Sequence, residues 1–190
     1  IINMAGDHGF NMVTFDNVRV PKKNLVGEQN RGWYVGATLL DFERSGVDYS
    51  AGGRRVLEEL IAYAKDNDQN GSLIADNPIM RNRLADLAIE VDVSRLISYN
   101  IAWMQGEGLV PNKESSMGKV VGTELQQHLS ETGMQMLGLH GQLEPGSKYA
   151  PMQGRIEHMH LTNVSETIQA GTSEIQRNII ATRGLGLPRG

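Results

Sequence analysis

The chain has 190 residues, no cysteine and a formal net charge of −4. That length suits one domain with a sizeable core, and near-balanced charge without a basic block excludes the usual signatures of a nucleic-acid or anionic-membrane partner. Without cysteine there is no disulfide, no thiolate catalysis and no Cys-ligated zinc or iron–sulfur centre, and no apolar run approaches the ~18 residues of a membrane span.

Taken in order, Ile1 to about Gly27 alternates and is punctuated like strands: Val13 and Phe15, a turn at Asp16-Asn17, then Val18 and Val20 stopped by Pro21. Two short strands cannot stand alone, so residues 1–27 are expected to be the last hairpin of a truncated β domain. The opening Ile1-Ile2-Asn3 likewise reads as the middle of a longer chain. After a polar connector the helical period begins, and residues 28–190 are expected to form a helical domain.

A first helix is predicted from about Arg31 to Asp66, with Trp33, Ala37, Leu40, Val47 and Ala51 marking an apolar stripe. Gly52 and Gly53 lie inside it at about 1 kcal/mol each relative to Ala, which implies either a kink or the close approach of another group. The stretch Asp66 to Asn77 reads as a polar loop. Asn77 as cap and Pro78 as first residue predict a second helix to about Gln105, burying Leu84, Leu87, Val91, Ile97, Ile101 and Met104. A third, from about Lys113 to Leu137, buries Met117, Val121, Leu125, Leu129 and Met136 and stops near Gly138. A weaker stretch runs from about Gly154 to Ile168, and the last helix opens at Ala170 to Glu174 and ends at Gly184. The fold class expected is mainly α, an up-and-down antiparallel helical bundle preceded by a remnant β-hairpin.

Two places carry chemistry. Glu43 falls three residues after Leu40 and four before Val47, so the period points it into the apolar stripe, where desolvation raises a carboxylate pKa towards that of a general base at neutral pH. An ordinary ion pair, with Arg44 or a neighbouring helix, explains the same placement, and periodicity leaves both readings open. In the turn Ala170-Gly171-Thr172-Ser173-Glu174, Gly171 permits close approach and Thr172 or Ser173 caps the helix, leaving either an anion site or a plain cap with an acidic first turn. His158 and His160 stand at i and i+2, off a common helical face, so no metal site is expected there.

Together, FDNVRVPKKNLVGEQNRGW (Phe15 to Trp33), LDFER (Leu40 to Arg44) and AGTSEIQRNIIA (Ala170 to Ala181) resemble, in order and separation, the C-terminal half of an acyl-CoA dehydrogenase. The resemblance implies an oxidoreductase with bound FAD that converts a CoA thioester to its 2,3-enoyl-CoA, the fragment itself being inactive. It implies electron-transfer flavoprotein as acceptor, assembly with itself or a sister subunit as dimer or tetramer, and a cytoplasmic or mitochondrial-matrix location.

Most members of that family carry the catalytic glutamate immediately before the Gly-Thr of the last block, whereas the isovaleryl-CoA type has Ala there and a Glu on the first bundle helix. With Ala170 and Glu43, this chain is similar to the second kind. By the same match Asp41 and Arg44 touch the CoA arm, and Gln135, Gly138, Gly171, Thr172 and Glu174 contact the flavin nucleotide. Two departures stand out. The family's Arg-x-x-Phe-Gly segment has no counterpart around Asp68 to Leu73, and its Gln-x-x-Gly-Gly motif appears as Gln135 to Leu139 with one glycine lost. These changes allow a second reading, a non-catalytic bundle that completes the FAD site of a sister subunit.

Overall fold

The computed structural model describes residues 1–43, 46–69 and 71–188, apart from the side chains of Asp41, Phe42 and Glu43. Its helices are α1 (Gly32–Glu43), α2 (Val47–Asp66), α3 (Pro78–Gly106), α4 (Asn112–Leu137), α5 (Arg155–Thr162) and α6 (Ser173–Ile179). A 3₁₀ turn at Lys22–Asn24 precedes them, and α6 passes into a π-helical turn over Ile180–Gly184.

The long helix expected from Arg31 to Asp66 is two helices. Gly46 sits between them in the left-handed region (φ 73°, ψ 8°), a conformation that glycine reaches without steric penalty and that no α-helix can continue through. The stripe drawn across that break is not a buried face of this chain. Trp33 is 83% exposed and Val47 is 50% exposed, and Ala37 and Leu40 are only half-buried. The buried face of α2 is instead Ser50, Gly53, Val56, Leu57, Leu60 and Ala64. Of the two interior glycines, Gly53 is the close approach: a Cβ there would lie 3.2 Å from Leu125 and 3.3 Å from Leu129.

Helix α3 begins as its sequence dictates. The Asn77 side chain accepts from the N–H groups of Ile79 (2.9 Å) and Met80 (3.3 Å), two of the donors that the first turn leaves unpaired, and Pro78 at the first position gives up a hydrogen bond that was never available. Its predicted stripe is buried at Leu84, Leu87, Val91 and Ile101, while Ile97 and Met104 lie at its edge. In α4, Leu125, Leu129 and Met136 are buried, Val121 is half-buried and Met117 is exposed.

Cross-contacts fix the directions. Arg54 pairs with Asp92 (3.4 Å) and Gly46 lies against Ser98, so α2 and α3 are antiparallel. Glu90 meets His128 (2.9 Å), while Ser98 and Gly118 both face Gly46, so α3 and α4 are antiparallel as well. Consequently α2 and α4 run parallel in a steady register, with Tyr49 on Gly122, Gly53 on Leu125 and Leu60 beside Gly133. This is an up-down-up bundle whose centre is filled by Leu60, Leu125, Leu129, Met136 and Ile156. Burying each such side chain contributes roughly 1.5–3 kcal/mol. Helix α5 closes the end near Gly133 through Ile156, and α6 lies beside the first half of α4, where Arg177 Nη2 donates to both carboxylate oxygens of Glu124 (2.8 and 2.9 Å).

The strand expectations shift. No strand forms over residues 1–31, where Val13, Phe15, Val18 and Val20 stand exposed with no sheet to cover them. A small antiparallel hairpin forms instead in the stretch read as a polar loop, between β1 (Asp68–Gln69) and β2 (Ser72–Leu73), with Gly71 between them in the left-handed region (φ 85°). Among the described residues no helix is long and apolar enough to cross a membrane.

Candidate active site

The Ala170 to Glu174 turn is shaped by two left-handed residues in succession, Ala170 (φ 52°) and Gly171 (φ 90°). For Ala170 this conformation costs on the order of 1 kcal/mol, and the surroundings hold it there. Gln176, fully buried on α6, donates through Nε2 to the carbonyls of Ala170 (3.2 Å) and Gly171 (3.3 Å). Thr172 is the N-cap, its Oγ1 accepting from the Ile175 N–H (3.3 Å), and Ser173 N–H donates back to the Thr167 carbonyl (3.0 Å). The helix that follows is shorter than the sequence suggested, only Ser173–Ile179 before the π turn, so a full helix dipole does not stand behind this turn. Its polarity comes from side chains. Ser173 Oγ and Gln176 Oε1 are buried without a hydrogen-bond partner among the described residues. The exposed Glu174 carboxyl is held below its usual range, first by the hydrogen bond from its own backbone N–H and then by one from Thr172.

Glu43 is the last residue of α1, with Asp41 in the same turn. Their side chains lie outside the described residues, as does all of Arg44. The backbone nevertheless locates this helix end. Three residues later Gly46 lies against Ser98 of α3 and Gly118 of α4. The Ala170 turn is anchored at the neighbouring stretch of α4, since Lys119 Nζ donates to the Glu166 carbonyl (2.9 Å), Gln127 Nε2 donates to Asn163 O and Thr167 Oγ1 (3.1 Å each), and Arg177 holds Glu124. The Glu43 helix end and the Ala170 turn therefore converge on the first half of α4.

Gln135 and Gly138 do not join them. Gln135 is exposed, and it lies 11 residues beyond Glu124 and 16 beyond Lys119, which is roughly 17–24 Å at the helical rise. Gly138 (φ 57°) ends α4, its N–H donating to the Met134 carbonyl. Within one chain the sequence-derived flavin contacts thus fall at two separate places. His158 is engaged elsewhere: its Nε2 meets both carboxylate oxygens of Asp7 (3.0 Å each), and no group of three metal-ligating side chains occurs among the described residues.

Sequence reasoning overlooked the polar residues between the two elements. Tyr49 packs closely against Gly122 and donates through its hydroxyl to Glu166 Oε2 (3.4 Å), and its backbone carbonyl accepts from Gln126 Nε2 (3.0 Å). Lys119 is 3% exposed. A signal was present: Ser115, Lys119 and Thr123 recur at helical spacing beside Gly118 and Gly122, a small and polar face that admits a close neighbour. Burial, and next the Glu166 carboxylate, push the Tyr49 phenol up to about 12. The folded chain therefore binds this proton more tightly than the unfolded chain, whose tyrosines titrate near 10. The stability it contributes is complete below about pH 10 and is lost as the pH rises through about 12. We expect the denaturant midpoint to fall more steeply over that window in the wild type than in Tyr49→Phe; equal slopes would show that the fold does not perturb the phenol.

Residues 30–185 match the family model described as acyl-CoA dehydrogenase, C-terminal domain. Among curated relatives, the acyl-CoA dehydrogenase FadE26 of Mycobacterium tuberculosis is 34% identical over 180 residues, which are 92% of this chain and 45% of the relative. The chain spans about half the length of the curated relatives it matches. Among solved structures, the ChsE4–ChsE5 complex from Mycobacterium tuberculosis superposes with a TM-score of 0.83 at 32% identity over all of this chain and 48% of the other. The Tcur3481–Tcur3483 steroid ACAD G363A variant does so with 0.84 at 29%, over all of this chain and 49% of the other. With the family model spanning most of the chain and the bundle superposing along its whole length, the chain belongs to the acyl-CoA dehydrogenase family and carries its C-terminal domain.

Proposed function

We propose that the full-length protein is an FAD-dependent acyl-CoA dehydrogenase, taking an α-proton and a β-hydride from a CoA thioester to leave the 2,3-enoyl-CoA, with Glu43 as the base. The observation that carries this reading is the convergence on one stretch of α4 of a glutamate-bearing helix end and a left-handed turn whose first residue is Ala170 rather than a carboxylate. The turn fits the flavin nucleotide. Gly171 presents no Cβ, the Thr172 hydroxyl and the Glu174 carboxyl are hydrogen-bonded to each other at the head of the turn, and Ser173 Oγ is a buried polar atom without a partner among the described residues. When bound, FAD supplies the hydride acceptor.

This chain's own residues do the rest. Glu43 accepts the α-proton, Asp41 and Arg44 hold the CoA arm, and Gly171, Thr172 and Glu174 hold the nucleotide. Electron-transfer flavoprotein is the proposed acceptor, and the domain in isolation is proposed to be inactive. The full-length protein, purified with FAD and mixed anaerobically with acyl-CoA thioesters of varied chain and ring character, should lose its flavin absorbance. A flavin that no thioester bleaches would overturn the assignment.

A specific observation favours a second reading. Gln135 and Gly138 lie roughly 17–28 Å along the α4 axis from Glu124 and Lys119, the residues of α4 that anchor the Ala170 turn, so one chain offers two partial flavin surfaces that a second subunit would complete. The structural relatives named as the ChsE4–ChsE5 complex and as Tcur3481–Tcur3483 carry two names each. Under that reading the protein purified alone lacks stoichiometric FAD and recovers it when a sister subunit is added; a yellow, reducible homo-oligomer excludes it.

A further inference from the structure

We propose that Tyr49 and Lys119 are positioning residues which, acting on Glu166, hold the Glu43-bearing helix end and the Ala170 to Thr172 turn in a fixed mutual relation. The inference rests on the functional reading above and names the device that keeps its two halves in register.

Three contacts place Tyr49. Its ring lies on Gly122, where a Cβ would come within 2.6 Å of ring carbon Cδ2. Gln126 binds its carbonyl, and its hydroxyl donates to Glu166 Oε2. Because Tyr49 opens α2 three residues after Gly46, fixing it on α4 fixes where the Glu43 segment enters. Glu166 is placed just as firmly. Its backbone carbonyl accepts from Lys119 Nζ (2.9 Å), and its other carboxylate oxygen accepts from Gln169 Nε2 (2.9 Å). Four residues on comes Ala170, so the ammonium of Lys119 and the phenol of Tyr49 grip the same residue, one by its main chain and one by its side chain. The almost fully buried Lys119 cation makes a charge-assisted contact with a carbonyl, stronger and more directional than a neutral one, and the phenol adds a longer contact to the carboxylate. Their effect is on the geometry between base and cofactor turn, where misplacement by 1 Å can cost about 10²-fold in rate.

The test uses the full-length holoprotein and two variants. Tyr49→Phe keeps the ring and removes the hydroxyl; Gly122→Ala keeps the hydroxyl and drives the ring off its seat. For each we expect kcat to fall about 10-fold, with KM for the acyl-CoA and FAD content within about twofold of wild type. We also expect faster amide hydrogen exchange at residues 170–173 as well as 46–50. Unchanged exchange at residues 170–173 in both variants overturns the proposal, since a brace cut at one end must loosen the other. Exchange that rises while kcat stays at the wild-type value overturns the positioning role. Exchange requires no turnover, so a wild-type protein inert to every thioester would count against the functional reading, while the exchange result still judges the link between the two elements.

Discussion

In the full-length protein, Glu43→Gln should leave FAD bound and slow acyl-CoA-dependent flavin bleaching by about 10³-fold, within the 10²–10⁴-fold that a positioned general base contributes. Glutamine keeps the shape of the side chain and its hydrogen-bonding reach but cannot take up a proton at neutral pH. The prediction depends on the turn at the other end of the site. Ala170 offers a methyl group and no carboxyl at the head of that turn, and the Glu174 carboxyl four residues on is already tied to its own backbone N–H and to Thr172. Stopped-flow reduction under anaerobic conditions measures the effect directly. Wild-type bleaching in Glu43→Gln would remove Glu43 from the mechanism.

Gly154→Ala should be the most destabilising of the alanine substitutions considered, by about 3 kcal/mol, combining a left-handed conformation costing roughly 1–2 kcal/mol with overpacking of similar size. Gly154 has φ 77°, and a Cβ would lie 2.5 Å from Pro145 N, 2.7 Å from Pro145 Cα and 2.8 Å from the Glu144 carbonyl carbon. All three are backbone atoms and cannot swing aside as a side-chain tip can. The two residues before it, Met152 (φ 49°) and Gln153 (φ 60°), are already left-handed, so the segment has little freedom left to relieve the contact. Gly146→Ala is the matched control, since Gly146 has φ 94° but nothing within 4 Å of a Cβ. Urea midpoints of the two variants should separate by the packing contribution alone; equal midpoints would show that the Glu144-Pro145 backbone moves freely.

Much of the bundle was legible because local chemistry and global fold agree there. Asn77-Pro78 caps α3, the spacing of Leu84, Leu87 and Val91 buries them, and Thr172 caps α6 as its position before Ser173-Glu174 suggests. The failures have physical causes too. Gly46 was read through because the apolar period continues on both sides, and a backbone dihedral leaves no trace in hydrophobic spacing. The alternation around Val13 to Val20 is a real strand pattern, but pairing needs neighbouring strands, and none accompanies it among the described residues. Tyr49, Lys119 and Gln176 were passed over because polar residues on helices are ordinarily solvated, and only the arrangement of three helices shows that these face inward. The apolar stripe drawn through Trp33 and Val47 is not buried in this chain, and the Glu43 side chain that it pointed to lies outside the described residues.

The left-handed Gly46 makes α1 a lever with its pivot beside the base. Twelve helical residues extend about 18 Å, so a rotation of about 10° at the pivot sweeps the Trp33 end through about 3 Å but carries Glu43, three residues away, through less than about 1 Å. Whatever surface Trp33 and Tyr34 meet can be accommodated by tilting the far end of the arm, while the backbone at Glu43 moves about a quarter as far.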